Sequence, residues 1–129
     1  NPFFTAGHWV PEMIEISGGI NMISKTGEHS QRMKMQEIVN AKPEIIILMP
    51  CGFDVMRTKK EYEKFLKNDQ EWNKLQAVKK GNVFAVDANS FFSKPSIRTI
   101  EGIEILAKII HPEIFSDLSV VENAYMKLN

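Results

Sequence analysis

Cysteine is almost absent from this sequence, and that absence removes two classes of protein at once. The 129 residues include a single cysteine, Cys51. One cysteine cannot close an intramolecular disulfide, and it cannot supply a cysteine-based zinc cluster. The chain is therefore expected to fold on its apolar residues, which make up 43% of the sequence and suit one globular domain.

An excess of charge of either sign is also absent. Sixteen Lys and Arg residues balance sixteen Asp and Glu residues, so nothing indicates a surface for nucleic acid. Long hydrophobic runs are missing too: no stretch of about 18 apolar residues predicts a membrane span, and no signal peptide opens the chain. The first residues, NPFFTAGHWVP, read as a loop that leaves an earlier element, which predicts that the chain is a fragment.

Two short apolar runs predict the centre of the fold. EIIILMP (44–50) is nearly all apolar and is bounded by prolines, and NVFAVDA (82–88) follows a glycine. Runs of this kind are typical of parallel strands that are buried on both faces. They alternate with helical patterns, so the sequence predicts a single three-layer, Rossmann-like α/β domain over residues 1–129 with a mostly parallel sheet.

The remaining elements are predicted from local signals. A short helix begins at Val10, with Pro11 in its first turn, and ends at Gly18–Gly19, one of which is expected to be left-handed. Further helices are predicted in three regions and a short strand in one: helices over 34–41, over 58–80 with a break near Asn68–Asp69, and over 97–110, and a strand at INMIS (20–24). DLSVVENAYMKL (117–128) is expected to form one more short helix.

Aromatic side chains mark the loops that should bind a ligand. In parallel α/β sheets, ligands meet the loops at the carboxyl ends of the strands. Two of the three loops predicted there carry Phe53, Phe91 and Phe92, where a simple connection needs no aromatic residue. Trp9, with His8 beside it, precedes the first helix on a loop, a position where aromatic residues commonly contact ligands. The competing interpretation is that the side chain of Trp9 fills space in the hydrophobic core.

One motif predicts an enzyme instead. Cys51 and Arg57 have the spacing of cysteine-dependent phosphatases and follow a predicted strand. However, Phe53, Val55 and Met56 crowd a loop that would need small residues to cradle phosphate with its backbone N–H groups. A buried structural cysteine at the end of a strand is the favoured interpretation of Cys51. No other catalytic pattern is recognisable, which favours binding over catalysis.

Four segments together resemble a known family. TAGHWVPEMIEISGG, SKTGEHS, QEIVNAKPEIIILMPCGF and NSFFSKPSIRTIEGIEILAKIIHPE are similar, in order and spacing, to cobalamin-binding proteins of ABC import systems. These belong to the wider group that binds vitamin B12, haem and ferric siderophores. The resemblance runs from about Pro2 to Phe115 and covers only the C-terminal lobe of such proteins. It implies that the N-terminal lobe and the linking helix lie outside this chain.

The resemblance implies roles for particular residues. His8 and Trp9 would face the cleft between the lobes, and the ring of Trp9 would lie against a flat macrocycle. Phe53, Phe91 and Phe92 would line the same cleft, whereas Arg98 would brace a loop. Glu37 would dock on the permease, although the paired glutamates common in the family read Gln36–Glu37 here. No residue is assigned as a metal ligand, and a solvated helix residue is the alternative for Glu37.

The implied function is transport without chemistry. The protein would hold cobalamin as cargo rather than as a catalytic cofactor, outside the cytoplasm, and deliver it to the permease subunits of an ABC importer. A ferric siderophore or haem is the alternative ligand, for which Arg32, Arg57 and Lys94 offer positive charge. An isolated lobe is expected to bind weakly, and its exposed cleft surface favours self-association. The cysteine-dependent phosphatase is the alternative from a different class.

Overall fold

The structure, a computed structural model, describes residues 3–5, 7, 9–20, 29–92 and 98–129. Its elements alternate between helix and strand along most of the chain. In order they are β1 (Phe3–Phe4), α1 (Val10–Ile16), β2 (Arg32–Met33), α2 (Met35–Ala41), β3 (Ile46–Leu48), α3 (Val55–Phe65), α4 (Gln70–Asn73), α5 (Gln76–Lys79), β4 (Val83–Val86), α6 (Ala88–Phe91), α7 (Thr99–Ile110) and β5 (Tyr125–Lys127). None of these described helices is long and apolar enough to cross a membrane.

The central sheet is built from the two predicted apolar runs. β3 and β4 pair in parallel, with Ile46 opposite Val83 and Leu48 opposite Ala85. β5 then adds to the other side of β4 in the antiparallel direction. Within the described ranges, the sheet is therefore mixed rather than mostly parallel, while the predicted α/β class is confirmed. The short strands β1 and β2 form a separate antiparallel pair.

Successive side chains of the central strands enter two different hydrophobic clusters. Ile45, Ile47 and Met49 pack against the cluster that contains residues of α1, α6 and α7. Ile46 and Leu48 pack on the opposite cluster, which contains Tyr62 and Trp72. Since side chains of a strand point alternately to the two faces of its sheet, the two clusters lie on opposite faces. The three-layer arrangement predicted from the unbroken apolar run follows from this alternation.

Local signals account for the ends of several helices. Pro11 stands in the first turn of α1, where its missing N–H is not needed, and Gly18 follows the helix with φ +93°. The long helical pattern breaks after α3, and the Asp69 side chain accepts a hydrogen bond from the N–H of Trp72 to begin α4. The predicted break near Asn68–Asp69 is therefore present.

Two expectations are wrong, and each has a local physical cause. Residues 117–128 do not form a helix; Asn123 has φ +62°, and Tyr125–Lys127 form the edge strand β5. Cys51 is exposed, not buried. It stands with Gly52 (φ +79°) at the tip of a tight turn that the Phe53 N–H closes on the Pro50 carbonyl at 3.0 Å. The strand predicted at INMIS and most of the SKTGEHS loop lie outside the described residues.

Gly102 allows three elements to meet above one face of the sheet. It is buried in the second turn of α7, and a Cβ atom built there would lie 2.7 Å from Met13 Cε of α1. The same atom would lie 3.2 Å from Phe92 Cε1 and 3.3 Å from the carbonyl oxygen of Phe91. A glycine at this position therefore sets how closely α7 approaches α1, which follows Trp9, and the C-terminal end of α6.

We expect Gly102→Ala to lower the free energy of unfolding by about 1 kcal/mol. Overpacking costs about 1–3 kcal/mol, which exceeds the gain of up to about 1 kcal/mol that alanine has over glycine in a helix. Urea denaturation measures the change. In a Met13→Ala background the penalty should largely disappear, because the closest clash is gone. An equal penalty in both backgrounds would contradict this explanation.

Candidate functional site

The candidate site lies where the two parallel strands β3 and β4 end. Their carboxyl ends face the same edge of the sheet, and each is followed by a loop that leads into a helix. The N–H of Asn89, in the short helix α6 that follows β4, donates a hydrogen bond of 3.1 Å to the carbonyl oxygen of Phe53, in the loop after β3. This bond fixes the loop after β3 beside α6 at the edge where ligands of α/β sheets bind.

Trp9 stands directly before α1. It is the residue that caps α1, and its carbonyl oxygen accepts the N–H of Met13 at 3.2 Å. The side chain is half-buried and packs against the cluster that includes Val86 and Phe91. Part of the indole therefore belongs to the core, and part is left at the surface. His8 lies outside the described residues.

Phe53 is the second half-buried aromatic residue of the site. The guanidinium of Arg57 lies over its ring, 3.8 Å from the centroid. The turn that precedes Phe53 and the cap that follows it hold this geometry, since the Asp54 carboxylate accepts the N–H of Arg57 at 2.8 Å to begin α3. The backbone on both sides of Phe53 is thus hydrogen-bonded, which restricts its ring.

Phe91 and Phe92 occupy a different position. Only 2% of Phe91 and 5% of Phe92 are exposed, and their rings meet edge to face with centroids 6.5 Å apart inside the core. The guanidinium of Arg98 covers Phe91 at 4.3 Å and forms an ion pair of 3.8 Å with Glu101. The structure therefore brings Trp9 and Phe53 to the surface and leaves both Phe91 and Phe92 beneath it. Phe91 ends the helical turn α6 and Phe92 follows it, and both lie close to Gly102 of α7, a contact between distant residues that the local sequence does not indicate.

Glu37 lies on the surface of the lobe, in the first turn of α2. It is exposed, and its carboxylate accepts a hydrogen bond of 2.7 Å from the N–H of Lys34, the residue that begins the helix. Gln36, beside it, bonds to Asn40 on the same helix at 3.0 Å. Glu37 thus stabilises the start of α2, a contribution that sequence reasoning missed although a glutamate at this position of a helix is typical of that bond.

The site contains little that could perform acid–base or nucleophilic chemistry. Cys51 is exposed at the turn, but Arg57 lies over the Phe53 ring instead of closing an oxyanion pocket around the thiol. Among the residues that the structure describes, no three His, Cys, Asp or Glu side chains converge as a metal site. What these residues offer is half-buried aromatic surface at Trp9 and Phe53 and the exposed positive charge of Arg57 over the Phe53 ring.

Known structures share this fold. The whole chain superposes on 44% of the TroA-like periplasmic binding protein FepB from Veillonella parvula, with a TM-score of 0.75 and 16% identity. A periplasmic solute-binding protein from Veillonella parvula DSM 2008 matches 88% of this chain over 35% of its own length, with a TM-score of 0.64 and 28% identity. The first likeness shows the fold alone, and the second extends to the sequence.

Curated relatives match in sequence as well. The high-affinity heme uptake system protein IsdE of Staphylococcus aureus (strain MRSA252) is 25% identical over 83 residues. The match covers 64% of this chain but 28% of the relative, so the chain spans well under half the length of such proteins.

A family-level match covers the candidate site. Residues 2–90, which extend from before Trp9 into helix α6, match the family described as periplasmic binding protein. That stretch is more than half of the chain and includes both Trp9 and Phe53. Members of this family bind substrates for transport, so the phosphatase interpretation of Cys51 and Arg57 is wrong and the chain is not an enzyme. This protein belongs to the periplasmic binding protein family.

Proposed function

We propose that the chain is the C-terminal lobe of a two-lobed substrate-binding protein that captures a flat metal chelate and delivers it to an ABC importer. The observation that carries the proposal is that Trp9, directly before α1, and Phe53, in the loop after β3, are both half-buried aromatic residues. Apolar surface of this kind favours a large planar ligand that needs few hydrogen bonds. The match of the whole chain to 44% of a related structure supports the assignment to one lobe.

Cobalamin is the first candidate ligand. The segment GHWVPEM…GG followed by PCGF resembles the cobalamin-binding branch, and it contains both aromatic residues of the site. In this proposal the N-terminal lobe covers the other face of the macrocycle, and His8 stands beside Trp9 at the cleft. Phe91 and Phe92 then support the loop from below, since their rings are buried.

Haem is the second candidate, and a specific observation favours it. The curated relative that matches this chain at 25% identity is a heme uptake protein. Haem is also a flat metal macrocycle, so the same aromatic surfaces would serve it. Both candidates imply a protein that works outside the cytoplasm and meets permease subunits at the membrane.

We expect Trp9→Ala to weaken ligand binding by the full-length protein more than about tenfold, because a buried aromatic contact at the centre of an interface contributes about 2 kcal/mol or more. Titration with cyanocobalamin and with haem, followed by calorimetry, measures the effect. Phe65→Ala is the matched control, since Phe65 is an aromatic residue that is 46% exposed on α3, away from the two loops.

Each outcome of this titration has a clear meaning. Binding of cobalamin in a one-to-one ratio, lost in Trp9→Ala and kept in Phe65→Ala, supports the first candidate. Binding of haem alone supports the second. A folded wild-type protein that binds neither, with ferric siderophores tested next, contradicts the proposed macrocyclic ligand.

A second prediction concerns Glu37 as a contact for the permease. Glu37→Gln keeps an oxygen that can accept the Lys34 N–H but removes the charge, so folding should not change. Docking on the permease at low salt should weaken about fivefold, which corresponds to roughly 1 kcal/mol for an exposed ion pair. Gln36→Glu should have the opposite effect, because it restores paired glutamates. The test measures how both variants bind the reconstituted importer across a range of salt concentrations. Unchanged docking in both variants would mean that Glu37 only caps the helix.

A further inference from the structure

A row of cations lies along the outer side of α3. Arg57, Lys60 and Lys64 are spaced by three and four residues, so their side chains are neighbours on one side of the helix. Each of them stands two residues after one of the buried residues of the same helix, which are Val55, Thr58 and Tyr62. Two residues correspond to a rotation of about 200° around a helix, so the row lies opposite the buried side. All three cations are exposed.

Two further lysines extend this row beyond the end of α3. Lys67 is exposed in the turn that follows the helix, and the Asn73 side chain donates a hydrogen bond of 3.0 Å to its carbonyl oxygen. That bond brings the end of α4, with the exposed Lys74 directly after it, beside Lys67. The basic face is the surface formed by Arg57, Lys60, Lys64, Lys67 and Lys74.

The acidic residues near the basic face do not neutralise it. Glu61 and Glu63 flank the row on α3, but none of the ion pairs in the described part of the chain joins them to a cation. The Asp54 carboxylate accepts a backbone N–H at the start of the helix. Lys74 does pair with Glu71, at 3.2 Å, although both side chains are more than half exposed. The basic face therefore keeps an excess of positive charge.

Charge is also distributed unevenly between the two sides of the sheet. Segment 57–80, which includes the basic face, contains eight Lys and Arg residues against four Asp and Glu residues. Helices α1 and α7, which contribute to the hydrophobic cluster on the opposite side of the sheet, contain four glutamates and one lysine. An anionic surface would therefore attract one side of the lobe and repel the other, so it would orient the whole domain.

We propose that the basic face rests on the anionic phospholipid headgroups of the membrane that contains the importer. This partner rests on the proposed function, which places the protein outside the cytoplasm and beside a permease, where nucleic acid is not expected. Lysine is depleted from protein–protein interfaces, whereas a surface of flexible lysines is attracted by the diffuse charge of lipid headgroups. Met56 and Phe65 are exposed on α3 beside the row and supply apolar surface that can enter the headgroup region.

The test measures binding of the purified full-length protein, without lipid modification, to vesicles. The protein should sediment with vesicles of phosphatidylglycerol and phosphatidylcholine but not with phosphatidylcholine alone, and rising salt should release it. Lys60→Gln/Lys64→Gln should weaken binding to the anionic vesicles more than about tenfold, since each lysine near such a surface contributes about fivefold. Glu61→Gln should strengthen binding, because it removes an acid that neighbours both Arg57 and Lys64 on the helix.

Lys42→Gln/Lys127→Gln is the matched control. Both lysines are exposed and lie outside the basic face, one directly after α2 and the other in the edge strand β5. This variant loses the same two charges, so it separates a localised face from the net charge of the protein. It should bind the anionic vesicles as the wild type does. Both double variants should bind the chelate normally, because none of the replaced lysines belongs to the candidate site.

Three results would overturn the proposed membrane contact. The wild-type protein could stay in solution beside anionic vesicles at low salt, bind neutral and anionic vesicles alike, or lose as much binding in the control as in Lys60→Gln/Lys64→Gln. If the latter variant weakened docking on the detergent-solubilised importer and left vesicle binding unchanged, the face would belong to a protein partner instead. Vesicle binding and chelate binding are measured separately. A protein that binds the vesicles but no chelate would therefore contradict the proposed ligand and not the basic face.

Discussion

The parallel pairing of β3 with β4 is the constraint on which the rest of this lobe depends. Because the two strands run in the same direction, both end at one edge, and the loops that follow them must lie together. The hydrogen bond from the Asn89 N–H to the Phe53 carbonyl oxygen then fixes their spacing. The same pairing sends alternate side chains of each strand into two clusters, so helices have to cover both faces. The fold and the position of the candidate site therefore both follow from the pairing of β3 with β4.

The aromatic residues of the lobe divide into two groups by depth. Phe91 and Phe92 lie in the core at the end of α6, where Gly102 allows α7 to pack close to them and to α1. Trp9 and Phe53 are half-buried: Trp9 packs against the cluster that contains α1 and α7, whereas Phe53 lies under the guanidinium of Arg57. In the proposed function these contacts orient the two rings before a ligand binds, because they form during folding. Less conformational entropy is therefore lost on binding than with a flexible loop.

Much of the fold could be predicted because its signals are local. The run of isoleucines before Met49 predicts a strand covered on both faces, and the glycines after Ile16 predict the end of α1. The predictions fail where contacts between residues far apart in the sequence determine the local structure. Residues 125–127 have no strong preference of their own and become a strand because β4 offers an open edge. Cys51 is exposed because a turn centred on Gly52 carries it away from the sheet, and Phe91 and Phe92 are buried because a glycine on another helix makes room for them. Composition shows that aromatic residues are present in a loop but not which way they point.

Affinity and selectivity have separate physical origins in this site. Apolar contact with Trp9 and Phe53 depends on area and flatness, so it would stabilise any planar chelate of suitable size and distinguish poorly among them. The exposed guanidinium of Arg57 over the Phe53 ring acts differently, because the free energy of a charge depends on the charges that lie near it. Arg57 is also exposed and belongs to neither hydrophobic cluster, so it can be replaced without repacking the core. A substitution in the first turn of α3 would therefore change the charge beside Phe53, while the aromatic surfaces and the strands stay as they are.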